Sequence, residues 1–433
     1  MDEGSTEQSK TEVNTLLQTS SASVQHKTPS RLKNVLAFAV CCFLNLVLSC
    51  AFSILGPFFP IEAAQKGVSS TLIGSIVSAS PFCVVILSPF FGYYGSSIGV
   101  RFMLLISTLV LGLSFSLFGL VSKIGTAMFF TSSYALSTAL YPKNIGLVMG
   151  LLEVAAGMGF AIGPAVGSGL YELGGFLLPF VVIGACPLFL LVPLYIFLPD
   201  SDIPVQRLSS RAVCTLLRSF PMLCIALCNV LALAALGFFT STFSPFLVNK
   251  LHISLPHVGL VFLAGPALYM LAALVAGPLS DKFVSWFPAH FTFTYYVFQG
   301  TRPFIICGLF ICAAGYFLVG PADFIASPRL WLTIVSFTAI GFGAALTFVP
   351  AYADLLNIAK SLDTGYNLES LTTVVSGIIS SALSCGDMLG PFVGGVLTDY
   401  LDFQTSAVIF GEILLAQGLL VLLLTLVERR VST

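Results

Sequence analysis

Apolar residues along this chain come in long runs, without the strict alternation of a half-buried strand or the narrow stripe of a surface helix. A helix needs roughly 20 apolar residues to cross a hydrocarbon core of about 30 Å. Runs of that kind occupy 35–57, 69–92, 102–121, 124–141, 145–171, 176–198, 221–248, 257–279, 303–320, 330–356, 371–397 and 404–427. The pattern predicts an all-α membrane protein of twelve spanning helices, six on either side of a hydrophilic break at 200–218. The expected organisation is a tail over 1–32, a six-helix bundle over 33–199, a linker over 200–218, a second six-helix bundle over 219–428 and a short tail over 429–433. The first 30 residues, rich in Ser, Thr and Gln, read as a disordered tail. The apolar run that follows is too long for a signal-peptide core and is expected to stay in the mature chain.

Composition supports lipid as the main solvent, because 57% of the residues are hydrophobic and 9% are charged. A net charge of −1 offers no basic face for nucleic acid. The 11 cysteines fall mostly inside apolar runs without CxxC spacing, so they read as small hydrophobes. Orientation follows from Lys and Arg, which are retained on the cytoplasmic side. With both termini cytoplasmic, only Lys66, Lys123, Lys250 and Arg329 of the 18 basic residues face the other way. The fourth run, short and rich in Ser and Thr, must also cross, since otherwise every later basic loop would change sides.

Two segments repeat. GFAIGPAVGSGLYELGGF at 159–176 and GDMLGPFVGGVLTDYLDF at 386–403 share Gly159, Gly163, Pro164, Val166, Gly167, Leu170 and Phe176 with Gly386, Gly390, Pro391, Val393, Gly394, Leu397 and Phe403. An acid recurs too, as Glu172 and Asp399. Small residues four apart beside a proline let helix backbones approach and bend, as a moving interface in lipid requires. A generic packing seam is the alternative, and two aligned copies count against it.

These segments resemble the antiporter motif of helices five and eleven in the major facilitator superfamily. GPLSDK, with Gly277, Asp281 and Lys282, resembles the loop motif of that superfamily. Its counterpart GYYGSSIGVRF keeps Gly92, Gly99 and Arg101 but has Ser96 and Ser97 where the motif carries Asp and Arg. SILGPFFPIEA at 53–63, GPAVGSGLY and RLWLTIVSFTAIGFGAALTFVPAYADLL at 329–356 are similar to the vesicular amine transporter family, in particular its polyamine branch. The resemblance implies a major facilitator fold of two six-helix pseudo-repeats. The chain departs from it in one place. Gly92 to Pro164 spans 72 positions, whereas Gly277 to Pro391 spans 114, part of it an aromatic insert at 284–300. The region of helices three and four is therefore shortened, and it lacks the Arg and Asp that the family usually carries in helix four.

Inside the spans the ionisable residues are nearly all acidic: Glu153, Asp354, Asp387 and Glu412. A carboxylate is costly in lipid and usually faces a cavity, where it can bind a cation or a proton in turn. The bland alternatives are a solvated rim for Glu153, capping or pairing for Asp354, and helix pairing for Glu412. Tyr134, Tyr269, Trp331 and Tyr352 are candidate aromatic contacts for an ammonium group. No Walker A, HExxH or CxxC pattern occurs, so neither an enzyme nor a cofactor is expected, and an ion gradient is left as the energy source.

The expected function is therefore a secondary transporter in the lipid bilayer exchanging small organic cations for protons, with polyamines such as spermidine implied by the resemblance. The absence of an Asp from the first helix, which offers Asn45, Ser49 and Ser53, favours the polyamine over the monoamine branch. The rival expectations are a transport-deficient variant acting as an interaction protein and a facilitator of another solute. The tail sequence EVNTLL, with Glu12 ahead of Leu16 and Leu17, has the spacing of an acidic dileucine signal read by clathrin adaptors. With the resemblance, it points to intracellular vesicles, the plasma membrane being the alternative.

Overall fold

In lipid a helix satisfies its own backbone hydrogen bonds, and each apolar run takes that solution. A computed structural model describes residues 31–53, 63, 66–116, 122–174, 177–199, 209–286, 301–319, 329–362 and 368–432. The first six runs form α1 (Arg31–Ser53), α2 (Ser70–Ile98), α3 (Val100–Ser116), α4 (Ser122–Leu140), α5 (Ile145–Gly174) and α6 (Leu177–Phe197). The last six form α7 (Phe220–Asn249), α8 (Leu255–Trp286), α9 (Arg302–Val319), α10 (Leu330–Ser361), α11 (Leu368–Tyr400) and α12 (Phe403–Ser432). A short linker helix, Ser210–Arg218, lies between the two sets, its first turn capped by the Ser209 hydroxyl, which accepts from the Ala212 N–H at 3.2 Å. Among the described residues nine helices are long and apolar enough to cross a membrane. α3 and α6 are shorter apolar helices, and the Ser- and Thr-rich α4 is the remaining one.

The shortening is local. α3 has 17 residues and its counterpart α9 has 18, but α4 has 19 where α10 has 32. A helix is thus truncated, not lost. Tyr134 of α4 meets Tyr352 of α10 edge to face, with ring centroids 6.4 Å apart. From that contact the two helices run similar lengths to Leu140 and Ser361, on what is called here the near face, which also carries Arg31 and the end of α12. In the other direction α10 continues to Leu330 whereas α4 begins at Ser122, a shortfall of about 15 Å at a rise of about 1.5 Å per residue.

The two sets of helices meet along α2 with α11 and α5 with α8, the same pairing in mirror order, with α4 on α11 and α10 on α5 completing the contact. Within the second set, Phe238, Phe239, Phe243, Tyr316, Phe337 and Phe410 interlock as a buried aromatic core. All 11 cysteines are free.

Candidate functional site

Glycine decides where the central carboxylate sits. At Gly150 of α5 the space a Cβ would fill is taken by the Ala273 carbonyl of α8, so the two backbones touch. One turn further on, this close approach brings Glu153 to Tyr269. The Tyr269 hydroxyl donates to Glu153 Oε2 at 2.7 Å, and the Tyr134 hydroxyl reaches Oε1 at a longer 3.4 Å. Beside them the Asn45 amide of α1 donates to the Leu152 carbonyl at 2.8 Å. Tyr352, against the Tyr134 ring, is 2.7 Å from Ser376 Oγ of α11 and 3.2 Å from Thr138 Oγ1 of α4. Side chains from both sets of helices therefore converge on Glu153.

Asp387 of α11 belongs to the same space. It is exposed, yet it interacts electrostatically with Glu153, Tyr134 and Tyr269, all of which are buried. The surface it presents is thus that of the opening between the two sets of helices. A pair of carboxylates with phenol donors can hold a cation, a proton or each in turn.

The other expected site residues lie elsewhere. Asp354 is at the near end of α10, where Arg302 Nε donates to its Oδ2 at 3.1 Å and Thr301 Oγ1 to its Oδ1 at 3.1 Å. Arg302 also pairs with Glu428, tying α9, α10 and α12 together. Glu412 shares the exposed stripe of α12 with Ile413, Leu419, Leu420 and Leu423, opposite the inward face of Leu414, Gln417 and Val421. Trp331 is exposed near the far end of α10. Glu12, Leu16 and Leu17 lie outside the described residues.

Five of the repeated glycines, Gly159, Gly163, Gly386, Gly390 and Gly394, pack within a set of helices rather than between the sets. A Cβ at Gly159 or Gly163 would strike α1, at Leu46 and Ser49 or at Cys50 and Ser53. A Cβ at Gly386, Gly390 or Gly394 would strike α7, at Val230, Ala234 or Phe238. Pro164, Gly167 and Pro391 continue the same two helices. The loop-motif glycines do cross the boundary: Gly92 abuts Gly377 of α11, and Gly277 abuts Gly146 of α5. Gly99 has φ +88°, a conformation that suits glycine, and turns the chain from α2 into α3, where Arg101 lies over the Tyr195 ring of α6 at 5.7 Å.

Two clasps were not foreseen from the sequence. Asp281 of the loop motif accepts from the Gly146 and Leu147 N–H groups at 2.9 Å each, the unpaired donors that open α5. At the far face Asp399 accepts from the Ser70 and Thr71 N–H groups, at 3.0 and 2.8 Å, at the start of α2. The recurrence of an acid at Asp399 was the available signal for the second.

The sequence profile of the Major Facilitator Superfamily matches residues 41–299 and 225–433. The chain is 30% identical over 429 residues to the rat MFS-type transporter SLC18B1, covering 93% of this chain and 89% of that one. It is also 30% identical over 417 residues to the human SLC18B1 protein, covering 89% and 85%. Among solved structures, the human organic anion transporter MFSD10 (TETRAN) superposes with a TM-score of 0.69 at 17% identity, covering 90% of this chain and 99% of that one. A bacterial homologue of the human lysosomal transporter Spinster gives 0.64 at 14% identity, covering 92% and 99%. At those identities the two structures speak to the fold alone.

Proposed function

The chain belongs to the Major Facilitator Superfamily, as a membrane-spanning transporter and not an enzyme, and on that premise we propose that it exchanges organic cations for protons by alternating access. The observation that supports this reading is that exposed Asp387 of one set of helices interacts with buried Glu153 of the other, whose carboxylate accepts from the Tyr269 hydroxyl at 2.7 Å. Two separated carboxylates match an elongated cation with more than one ammonium group, so polyamines such as spermidine are the proposed substrate. Protonation of the same carboxylates would release it, which couples the two fluxes. The rival reading, a transport-deficient variant, rests on the truncated α4. That Tyr134 of α4 still reaches Glu153 supports a working site.

The proposed address is an intracellular vesicle, with both termini on the cytoplasmic side and a clathrin adaptor reading the amino tail. In that orientation the near face is cytoplasmic. The test is uptake of labelled spermidine into reconstituted vesicles under an imposed proton gradient. Glu153→Gln and Asp387→Asn should each lower gradient-driven uptake by at least about tenfold with folded yield unchanged. Uptake at the wild-type rate in both variants would overturn the reading.

A further inference from the structure

The truncation of α4 has a chemical consequence on the far side of the opening. Lys123 stands on the first turn of α4, and the sequence places it in a far-face loop. Because the helix begins about 15 Å short of its counterpart, Lys123 instead lies within the bundle. Its Nζ sits over the Phe52 ring of α1, 4.6 Å from the centroid, and it interacts electrostatically with Cys83 of α2. Cys83 is about 20 Å along α2 from that helix's far end. α11 runs beside α2, with Asp399 on Ser70 at the far face and the Met388 carbonyl accepting from Ser78 Oγ at 2.6 Å. Asp387, adjacent to Met388, is therefore within about a helical turn of the depth of Cys83 and Lys123. Among the described residues no carboxylate pairs with Lys123. The other described Lys and Arg residues stand at or near helix ends on the two faces.

We propose that Lys123 is a specificity-determining residue, a fixed ammonium on an aromatic ring that sets the charge of the substrate accepted by the central site. The proposal rests on the cation reading of that site, and it tempers the preference for polyamines that the two carboxylates create without abolishing it. Glu153 and Asp387 alone would present two negative charges to an entering cation, and Lys123 offsets one of them from the far side. Two unit charges about 10–15 Å apart at an effective dielectric of about 20 change an equilibrium by roughly five- to fifteenfold. That penalty falls on each ammonium group of the substrate that comes within range. It therefore weighs more on a triamine lying along the opening than on a monoamine held at Glu153. The Phe52 ring face, which would attract a substrate ammonium, is already occupied by Lys123.

Two measurements on the full chain in liposomes test this. The first is the ratio of spermidine to tyramine uptake in wild type, Lys123→Met and Lys123→Arg. Lys123→Met should raise the ratio several-fold, and Lys123→Arg should leave it near wild type. An unchanged ratio in Lys123→Met would overturn the proposal. If wild type carries neither amine, the cation reading itself fails. The second measurement does not depend on transport: the rates at which exposed Cys83 reacts with a cationic and an anionic methanethiosulfonate, with Cys83→Ser as background. Lys123→Met should raise the cationic-to-anionic rate ratio several-fold. No change in that ratio, or no reaction at Cys83 from the aqueous phase, would also overturn it. Removing an unpaired charge from the bundle should not lower the melting temperature, so loss of fold is not the expected outcome.

Discussion

The carboxylate of Asp281 on α8 accepts the Gly146 N–H at the start of α5, at 2.9 Å, and so joins the two sets of helices at the near face. Its second oxygen takes the Leu147 N–H, and the Gly277 and Gly146 backbones abut just behind. Carboxylate bonds to the first N–H groups of a helix are charge-assisted and favoured by its dipole. Losing such a cap costs about 1–2 kcal/mol, a factor of roughly 5–30 in the closed-to-open ratio. Ser280 is 1% exposed beside this clasp. In a Ser280→Cys background, Asp281→Ala should therefore speed labelling by an impermeant maleimide about 5- to 30-fold. Asp281→Asn, which keeps one acceptor oxygen, should fall between the two. Equal labelling rates in all three would show that the clasp does not hold the near face shut.

The two phenols at Glu153 should not be equivalent. Tyr269 donates at 2.7 Å and Tyr134 only at 3.4 Å, beyond a good hydrogen bond. A bond to a charged group is worth about 1.5–3 kcal/mol, so Tyr269→Phe should lower proton-driven uptake by about tenfold or more. Tyr134→Phe should lower it by less than about threefold. Initial rates of spermidine uptake decide this, and the reverse ranking would contradict the geometry.

Arg302 is the hub of the near-face ion network, with Asp354 on one side and Glu428 on the other. Its side chain is 14% exposed and that of Asp354 is 11% exposed, so neither charge is well hydrated. Arg302→Met leaves an uncompensated carboxylate at the end of α10 and should cost about 3 kcal/mol. Adding Asp354→Asn should restore part of the loss. Thermal unfolding of the detergent-solubilised protein checks both steps, and a double variant no more stable than Arg302→Met would leave the pairing without consequence. This placement makes Asp354 a structural residue in the expected behaviour of its variants.

The long apolar runs were legible because lipid admits few backbone solutions, and even the polar fourth run followed from the side on which Lys and Arg fall. Glu153 and Asp387 were legible as carboxylates in apolar surroundings. Their common opening was not, because it depends on the contact of Gly150 with Ala273, two residues 123 positions apart. The partner of Asp354 was hidden for the same reason, Arg302 being 52 positions away. Lys123 marks the limit of hydropathy most clearly. The end of an apolar run says where a helix can stop, whereas the depth of that end depends on how far the helix reaches beside its neighbours, here α1 and α2.

Glycine substitutions should separate seams within a set of helices from the boundary between the sets. Leucine at Gly163 would push into Cys50 and Ser53 of α1, and leucine at Gly390 into Ala234 and Phe238 of α7. Helices on both sides of these seams belong to the same set, so a side chain there has no conformational change into which it can escape. Overpacking of this kind costs about 1–3 kcal/mol and more where backbone is struck. Gly163→Leu and Gly390→Leu should therefore lower the melting temperature and folded yield. Leucine at Gly277 strikes Gly146 across the boundary, and parting of the two sets at the near face relieves it. Gly277→Leu should keep the melting temperature of the wild type within a few degrees, speed near-face labelling of Ser280→Cys and stop exchange. Size-exclusion profiles, melting curves and labelling rates of the three variants side by side provide the check. A melting temperature depressed as much by Gly277→Leu as by Gly163→Leu would remove the distinction between the two kinds of seam.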